Sequence, residues 1–166
     1  MRIAVILAGF LAISPALAEA GITGRPCVID GDSLAVGGAL KEKWCRGGVE
    51  VRPHGIDAPE WDQTCTNAAG KEWARGKAAK KAMARMVEGK IVVCQERARD
   101  SYKRSVAVCL AGGRDLDREL VAAGLAVAYR RYTTMYVGEE DAARTAGLGM
   151  WAGKFTTPEI WRRTNK

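Results

Sequence analysis

The hydrophobic pattern of this chain changes period twice, and few folds accommodate that order. Between residues 25 and 57, short apolar runs such as Cys27-Val28-Ile29 and Leu34-Ala35-Val36 alternate with glycine pairs at 37–38 and 47–48, the pattern of strands and tight turns. From 67 to 88 the period becomes helical: Ala69, Trp73, Gly76, Ala79, Met83 and Val87 fall near one face, with lysines and arginines elsewhere. Gly89 stands where a helix C-terminal cap belongs. Two β runs follow at 91–94 and 105–110, joined by a polar loop over 96–104, and glycine-closed helical stretches are predicted at 116–123 and 139–146. Beyond Phe155 no clear period is left, and that tail is expected to be irregular. Segregated strands and helices specify an α+β domain, and no repeat or linker divides it.

The first twenty residues stand apart from that domain. Arg2 precedes an apolar run over 3–13, and the small residues Ala16-Leu17-Ala18 follow it. This is the pattern of a secretory signal peptide at 1–20, leaving a mature domain at 21–166. No apolar run reaches the roughly eighteen to twenty residues that cross a bilayer. The expectation is an exported chain, periplasmic or secreted, without stable membrane insertion. Five cysteines, none in a C-x-x-C pair, fit disulfides in an oxidising compartment. Cys94 and Cys109 fall on neighbouring predicted strands and form the best candidate pair, whereas Cys27, Cys45 and Cys65 leave one further pair and one thiol unassigned. The 26 Lys+Arg against 19 Asp+Glu give a net charge of +7, which favours polyanionic partners.

Three segments carry candidate chemistry. Asp30-Gly31-Asp32 sets two carboxylates at a strand end, where glycine permits a sharp bend and the acids can face a hard cation. Taken alone, such a triplet is more often a turn. Arg52-Pro53-His54-Gly55-Ile56-Asp57-Ala58-Pro59-Glu60 ends another strand with a cation and two acids; a surface turn with a salt bridge is its bland reading. Asp100-Ser101-Tyr102-Lys103-Arg104 lies in the hairpin loop, where a planar guanidinium can grip a phosphate with two hydrogen bonds. The lysines at 71, 77, 80 and 81 read foremost as a solvated helix face, and the lone His54 as structural.

In this order the three segments resemble the staphylococcal nuclease family, and the likeness continues through Asp115-Leu116-Asp117, Gly124-Leu125-Ala126, Ala128-Tyr129-Arg130-Arg131-Tyr132 and Gly149-Met150-Trp151. The resemblance implies a five-stranded OB-type β-barrel with three helices, whose open face binds oligonucleotides. It implies Ca²⁺ as cofactor, held by Asp32, Asp57 and the main-chain carbonyl of Ala58. Glu60 would orient or deprotonate the attacking water, and Arg52 and Arg104 would bind the scissile phosphate. Tyr102 and Tyr129 match positions that contact phosphate and nucleotide, and Lys103 adds a cation beside Arg104. The implied function is a monomeric nuclease cleaving DNA or RNA to leave 3′-phosphate ends; the alternative is a catalytically silent OB-fold module that only binds nucleic acid. The chain departs from the family at Lys103, where glycine is usual, at Ser101, at Pro53-His54 and in an insertion over 44–48. Cys65 lacks the partner cysteine that many exported relatives carry two residues after the helix tryptophan, since Trp73-Ala74-Arg75 stands there.

Overall fold

A computed structural model describes residues 21–165, so the expected signal segment at 1–20 lies outside the described residues. The principal strands are β1 (Ile22–Gly24), β2 (Pro26–Asp30), β3 (Ser33–Val36), β4 (Val49–Pro53), β5 (Val92–Arg99) and β6 (Ser105–Ala111). They hydrogen-bond in the order β1-β5-β6-β4-β3-β2, and a short strand Arg114–Asp115 joins the edge of β6 as a seventh member. Every pairing is antiparallel except β4 with β6, which is parallel. The two ends of this path, β1 and β2, are consecutive stretches of chain separated by Arg25 alone.

This corrects two expectations of detail. The sheet counts seven strands and its pairings do not close into a barrel, because the strand that starts the domain breaks at Arg25 into two pieces with different partners. Four α-helices are present among the described residues, not three: α1 (Arg75–Val87), α2 (Leu116–Ala122), α3 (Val137–Thr145) and α4 (Pro158–Thr164). The last is the segment expected to be irregular. Pro158, pre-set for a first helical turn, starts it, and Glu159 pairs with Arg163 one turn on at 2.7 Å.

Helix α1 also begins eight residues later than its periodicity suggests, at 75 and not 67. Asn67 accepts hydrogen bonds from the N–H groups of Ala69 and Lys71 at 3.0 and 2.9 Å, and Gly70 adopts a left-handed φ of 73°. That turn joins the short strands Cys65–Thr66 and Glu72–Trp73 into a hairpin and competes successfully with helix.

The core lies between the sheet and the helices. Ala79, Met83 and Val87 of α1 join Leu34, Val51, Val92 and Ala107 from the strands and Leu116 and Leu120 from α2 in one buried cluster. Cys94 and Cys109, directly opposite in register, form a disulfide inside it, as expected. A second bridge, Cys27–Cys45, fastens the insertion hairpin (strands Ala39–Lys41 and Trp44–Arg46) to β2, leaving Cys65 as a buried thiol. Both bridges are compatible with export, and among the described residues no helix is long and apolar enough to cross a membrane.

Thiol titration of unreduced protein in denaturant is expected to find one reactive cysteine, and none before unfolding, because Cys65 is 6% exposed. A count of five would refute both bridges.

Candidate active site

The parallel pairing of β4 with β6 brings the two arginines together. Its register sets Ser105 level with Val51 and Val106 level with Arg52, so Arg104 falls level with Glu50. Residues level across strands share a face, as do residues two apart on one strand, so Glu50, Arg52 and Arg104 project from the same side. The Arg104–Glu50 ion pair at 3.5 Å agrees with this.

The carboxylates arrive from two turns. β2 runs into β3 through Gly31, where an added Cβ would lie 2.8 Å from the Ala79 methyl and 2.9 Å from that of Ala58. Glycine is required because helix α1 and the 57–60 loop both press on this turn. Asp30 closes it by accepting the Asp32 N–H at 3.0 Å. Asp57 ends the short strand Ile56–Asp57, which pairs with Val127–Ala128.

Arg52 Nη2 donates to Asp32 Oδ2 at 3.2 Å and to Asp57 Oδ1 at 3.3 Å, and the Ala58 N–H donates to Asp32 Oδ2 at 3.2 Å. A residue outside all three motifs completes the cluster. Arg162 of α4 donates Nη2 to both oxygens of Asp57 at 2.9 and 3.0 Å and Nη1 to Glu60 at 2.9 Å. The chain leading into α4 is held by two buried side chains, since Gln63 Nε2 and an Arg75 guanidinium nitrogen both donate to the Thr156 carbonyl. Gln63 also accepts the Glu60 N–H at 3.2 Å, which fixes the Glu60 backbone to the same anchor. Nothing in the tail's pattern marked Arg162; the only sign was a cation in a segment with no hydrophobic reason to fold.

Arg104 is aimed by Asp100, which accepts its Nε at 2.7 Å and the backbone N–H groups of Tyr102 and Arg104 at 2.9 Å each. One carboxylate thus shapes the hairpin turn and orients the guanidinium. Tyr102 is exposed, with its ring 5.4 Å from the Arg104 guanidinium carbon, and Lys103 is exposed at the tip with φ 66°. The Tyr129 N–H donates to the Gly55 carbonyl at 2.8 Å and its ring lies 5.1 Å from that of Tyr132. The structure therefore gathers Asp32, Arg52, Asp57, Ala58 and Glu60 into one hydrogen-bonded group and sets Arg104 on the same sheet face with Tyr102 beside it, while the Lys103 side chain has no hydrogen-bond partner among the described residues.

The electrostatics fit a hard divalent cation. Burial, with some help from Asp32, pushes the Asp57 carboxyl up to about 6 against the pull of Arg162 and Arg52. Burial and the charge of Asp32 likewise push Asp30 up to about 7. A poorly solvated carboxylate is relieved by a nearby cation, the part that Arg162 and Arg52 play for Asp57 here and that a divalent ion could also play. Among the described residues no three His, Cys, Asp or Glu side chains form a ready cage. Two carboxylates leave the remaining shell to carbonyl, water and phosphate oxygens, which flexible Ca²⁺ coordination accepts.

Because Asp57 has a folded value above its unfolded one of 3.8, its ionisation costs stability, fully absent below about 3.8 and complete once pH passes about 6. Arg162 opposes that cost. In metal-free buffer, Arg162→Ala is expected to lower the melting temperature more at pH 8 than at pH 5, where Asp57 is protonated in either protein. An equal drop at both pH values would contradict the pairing. At the hairpin tip, Lys103→Gly removes a side chain from a left-handed position and is expected to raise stability by about 1 kcal/mol in urea unfolding.

Residues 50–153 match the family model described as staphylococcal nuclease homologue. Arg52, Asp57, Ala58, Glu60 and Arg104 fall within that span, and Asp32 precedes it. The chain is 31% identical over 154 residues to a succinoglycan biosynthesis protein, ExoI, of Rhizobium meliloti, covering 90% of this chain and 74% of that one. It is also 31% identical over 121 residues to an uncharacterized endonuclease of Haemophilus influenzae, covering 71% of this chain and 62% of the relative. An uncharacterized 38.1 kDa protein of Capnoides sempervirens is 26% identical over 142 residues, of which this chain spans 39%. With the family model covering over half the chain, this chain belongs to the staphylococcal nuclease family of phosphodiester hydrolases.

Proposed function

We propose that the chain is an exported, Ca²⁺-dependent nuclease that hydrolyses phosphodiester bonds of DNA or RNA and leaves 3′-phosphate ends. The observation that carries this reading is the convergence of two guanidinium groups on one sheet face with two buried carboxylates and Glu60. The acting unit is the domain at 21–166, read as an OB-type barrel. If β1 and β2 count as two halves of one strand, the sheet has five lanes in the order β1/β2, β3, β4, β6, β5.

Arg52 and Arg104 hold the scissile phosphate and the charge that grows on its oxygens, as fixed donors that need no reorganisation during attack. Glu60 exchanges its bond to Arg162 for one to water, orients that water in line with the phosphorus and takes its proton. The new P–O bond forms as the bond to the 5′-oxygen breaks, which leaves the phosphate on the 3′ side. Ca²⁺ bound by Asp32, Asp57 and the Ala58 carbonyl would supply Lewis-acid stabilisation of the phosphate and a template for the water. Mg²⁺ demands a stricter octahedron and gives up its waters reluctantly, so Ca²⁺ is the ion proposed. Tyr102, with Lys103, receives a flanking phosphate, and Tyr129 offers a face for a base.

Purified mature chain is expected to cut DNA or RNA in Ca²⁺ and to stop in chelator. Arg52→Ala and Arg104→Ala should each lose on the order of a hundred- to a thousand-fold in kcat while keeping the native circular dichroism spectrum. Full activity in either variant would sink the assignment, and binding without cleavage in Ca²⁺ would make the chain a silent OB-fold module.

A further inference from the structure

We propose that helix α1 and the cavity at its C-terminal end form a second nucleic-acid subsite, which holds a stretch of single strand several nucleotides from the scissile phosphate. This rests on the nuclease reading and extends it to substrate length.

The subsite starts beside the catalytic group. Trp61 follows Glu60, is 52% exposed, and has the ammonium groups of Lys77 and Lys80 at 5.4 and 5.2 Å from its ring centroid. A half-exposed indole flanked by two lysines offers a stacking face for a base and counter-charge for the phosphates on either side of it. Lys80 then continues the surface toward the other end of the helix. There a cavity of about 790 Å³ opens between α1, the start of β2 and the insertion hairpin. Its walls bring together Arg25, Lys43, Lys80, Lys81, Arg85 and Lys90, against one acid, Glu88.

A solvated basic helix face is the plainer account, and it explains part of this. Arg85 lies in the last turn of α1 and Lys90 donates to the Met86 carbonyl at 2.8 Å, so both serve the helix C-terminus. It does not explain Arg25 and Lys43, which two other segments bring to the same hollow as Lys80 and Lys81 of α1. Helix α1 itself has no acidic residue in any turn. Among the described residues none of the six forms an ion pair with Asp or Glu. Cations packed this way repel one another until an anion arrives, and a polyanion gains further by releasing its own counterions.

The shape selects a strand over a small anion. From Lys77 to Glu88 the helix rises roughly 17 Å at about 1.5 Å per residue. At about 3.4 Å per nucleotide of stacked strand that is room for roughly five nucleotides, within the range of about 4 to 16 that OB-folds engage. A free phosphate would use neither the indole nor the length.

The test compares dye-labelled deoxyoligonucleotides of three and fifteen nucleotides, using wild type, Trp61→Ala and the double variant Lys80→Ala/Lys81→Ala. Binding is read by anisotropy in chelator and cleavage in Ca²⁺. Trp61→Ala is expected to weaken 15-mer binding roughly five- to 150-fold, the range for loss of one stacked base, and the lysine pair is expected to weaken it as well. The lysine pair should also flatten the slope of log Kd against log salt by about 1.4, as for two phosphate contacts on single strands. Turnover of the 3-mer should stay within about two-fold of wild type. Variants that bind the 15-mer with wild-type affinity and salt slope would overturn the subsite while leaving the nuclease reading intact. Conversely, weakened 15-mer binding in a protein that cuts nothing would support the subsite and remove the nuclease reading. Variant-sensitive binding to phosphatidylglycerol vesicles without any change on the 15-mer would overturn it in favour of a membrane surface.

Discussion

The parallel pairing of β4 with β6 is the constraint on which the rest of the molecule depends. Antiparallel neighbours can be joined by a tight turn, but parallel strands require a long connection that returns over a face of the sheet. Here that connection runs from His54 to Arg104 and must carry the Asp57–Glu60 loop, helix α1 and the whole of β5 before the two strands meet. The pairing that sets Arg52 and Arg104 on one face therefore also compels the acidic loop and α1 to pack beside them. Gly31 and Gly76 record how tightly they do so: a Cβ at Gly76 would sit 1.7 Å from the Glu60 carbonyl oxygen. The helix that closes the core and the loop that carries Glu60 are in backbone contact, and a small change in one is transmitted to the other.

Bringing acids together under that loop creates an electrostatic cost, and the arginines meet it unequally. Asp32 and Asp57 are 7% and 1% exposed, so neither can rely on water. Arg52 bridges them from the sheet, and Arg162 approaches Asp57 from the far end of the chain. A two-turn helix with no strong hydrophobic pattern would not hold by propensity, because short helices are marginal without tertiary contacts. The ion pairs to Asp57 and Glu60, with the Thr156 carbonyl pinned by Gln63 and Arg75, supply those contacts. Arg75 is itself wholly buried with no carboxylate on it; the Thr156 carbonyl, the Met150 sulfur and the Phe155 ring take that place.

How much of this was legible in the sequence follows from the range of each interaction. The α+β order, the 94–109 bridge and the motif residues were readable, because period, register and short motifs are local properties of the chain. The start of α1 was misplaced since Asn67 and Gly70 form a turn that apolar spacing does not register. The broken first strand was invisible because Arg25 differs from its neighbours only in which strands lie on either side. Helix α4 and Arg162 were missed for the deepest reason: their stability comes from residues about a hundred positions earlier, and no window along the tail contains that information. Lys103 stands where glycine is usual in the family, and its backbone keeps the left-handed φ of 66° that glycine suits.

The donor atoms distinguish the two arginines proposed to hold phosphate from the third. A guanidinium has five N–H donors in a fixed plane. Arg52 spends one nitrogen, Nη2, on both carboxylates at 3.2 and 3.3 Å, which leaves Nε and Nη1 for a ligand. Arg104 commits Nε to Asp100 and turns Nη1 loosely toward Glu50 at 3.5 Å, leaving Nη2 without a partner. Arg162, by contrast, commits both terminal nitrogens to Asp57 and Glu60 at 2.9 to 3.0 Å. The first two can keep their acids and take a phosphate oxygen at once, whereas the third must surrender its acids to bind anything. The lysines along α1 are a separate kind of charge, without an ion pair among the described residues and on flexible stems, which suits the proposed drawing in of a strand better than the fixing of one oxygen. On the proposed reading, chemistry and capture fall to different cations, with Glu60 and Trp61, adjacent in the chain, at the boundary between them.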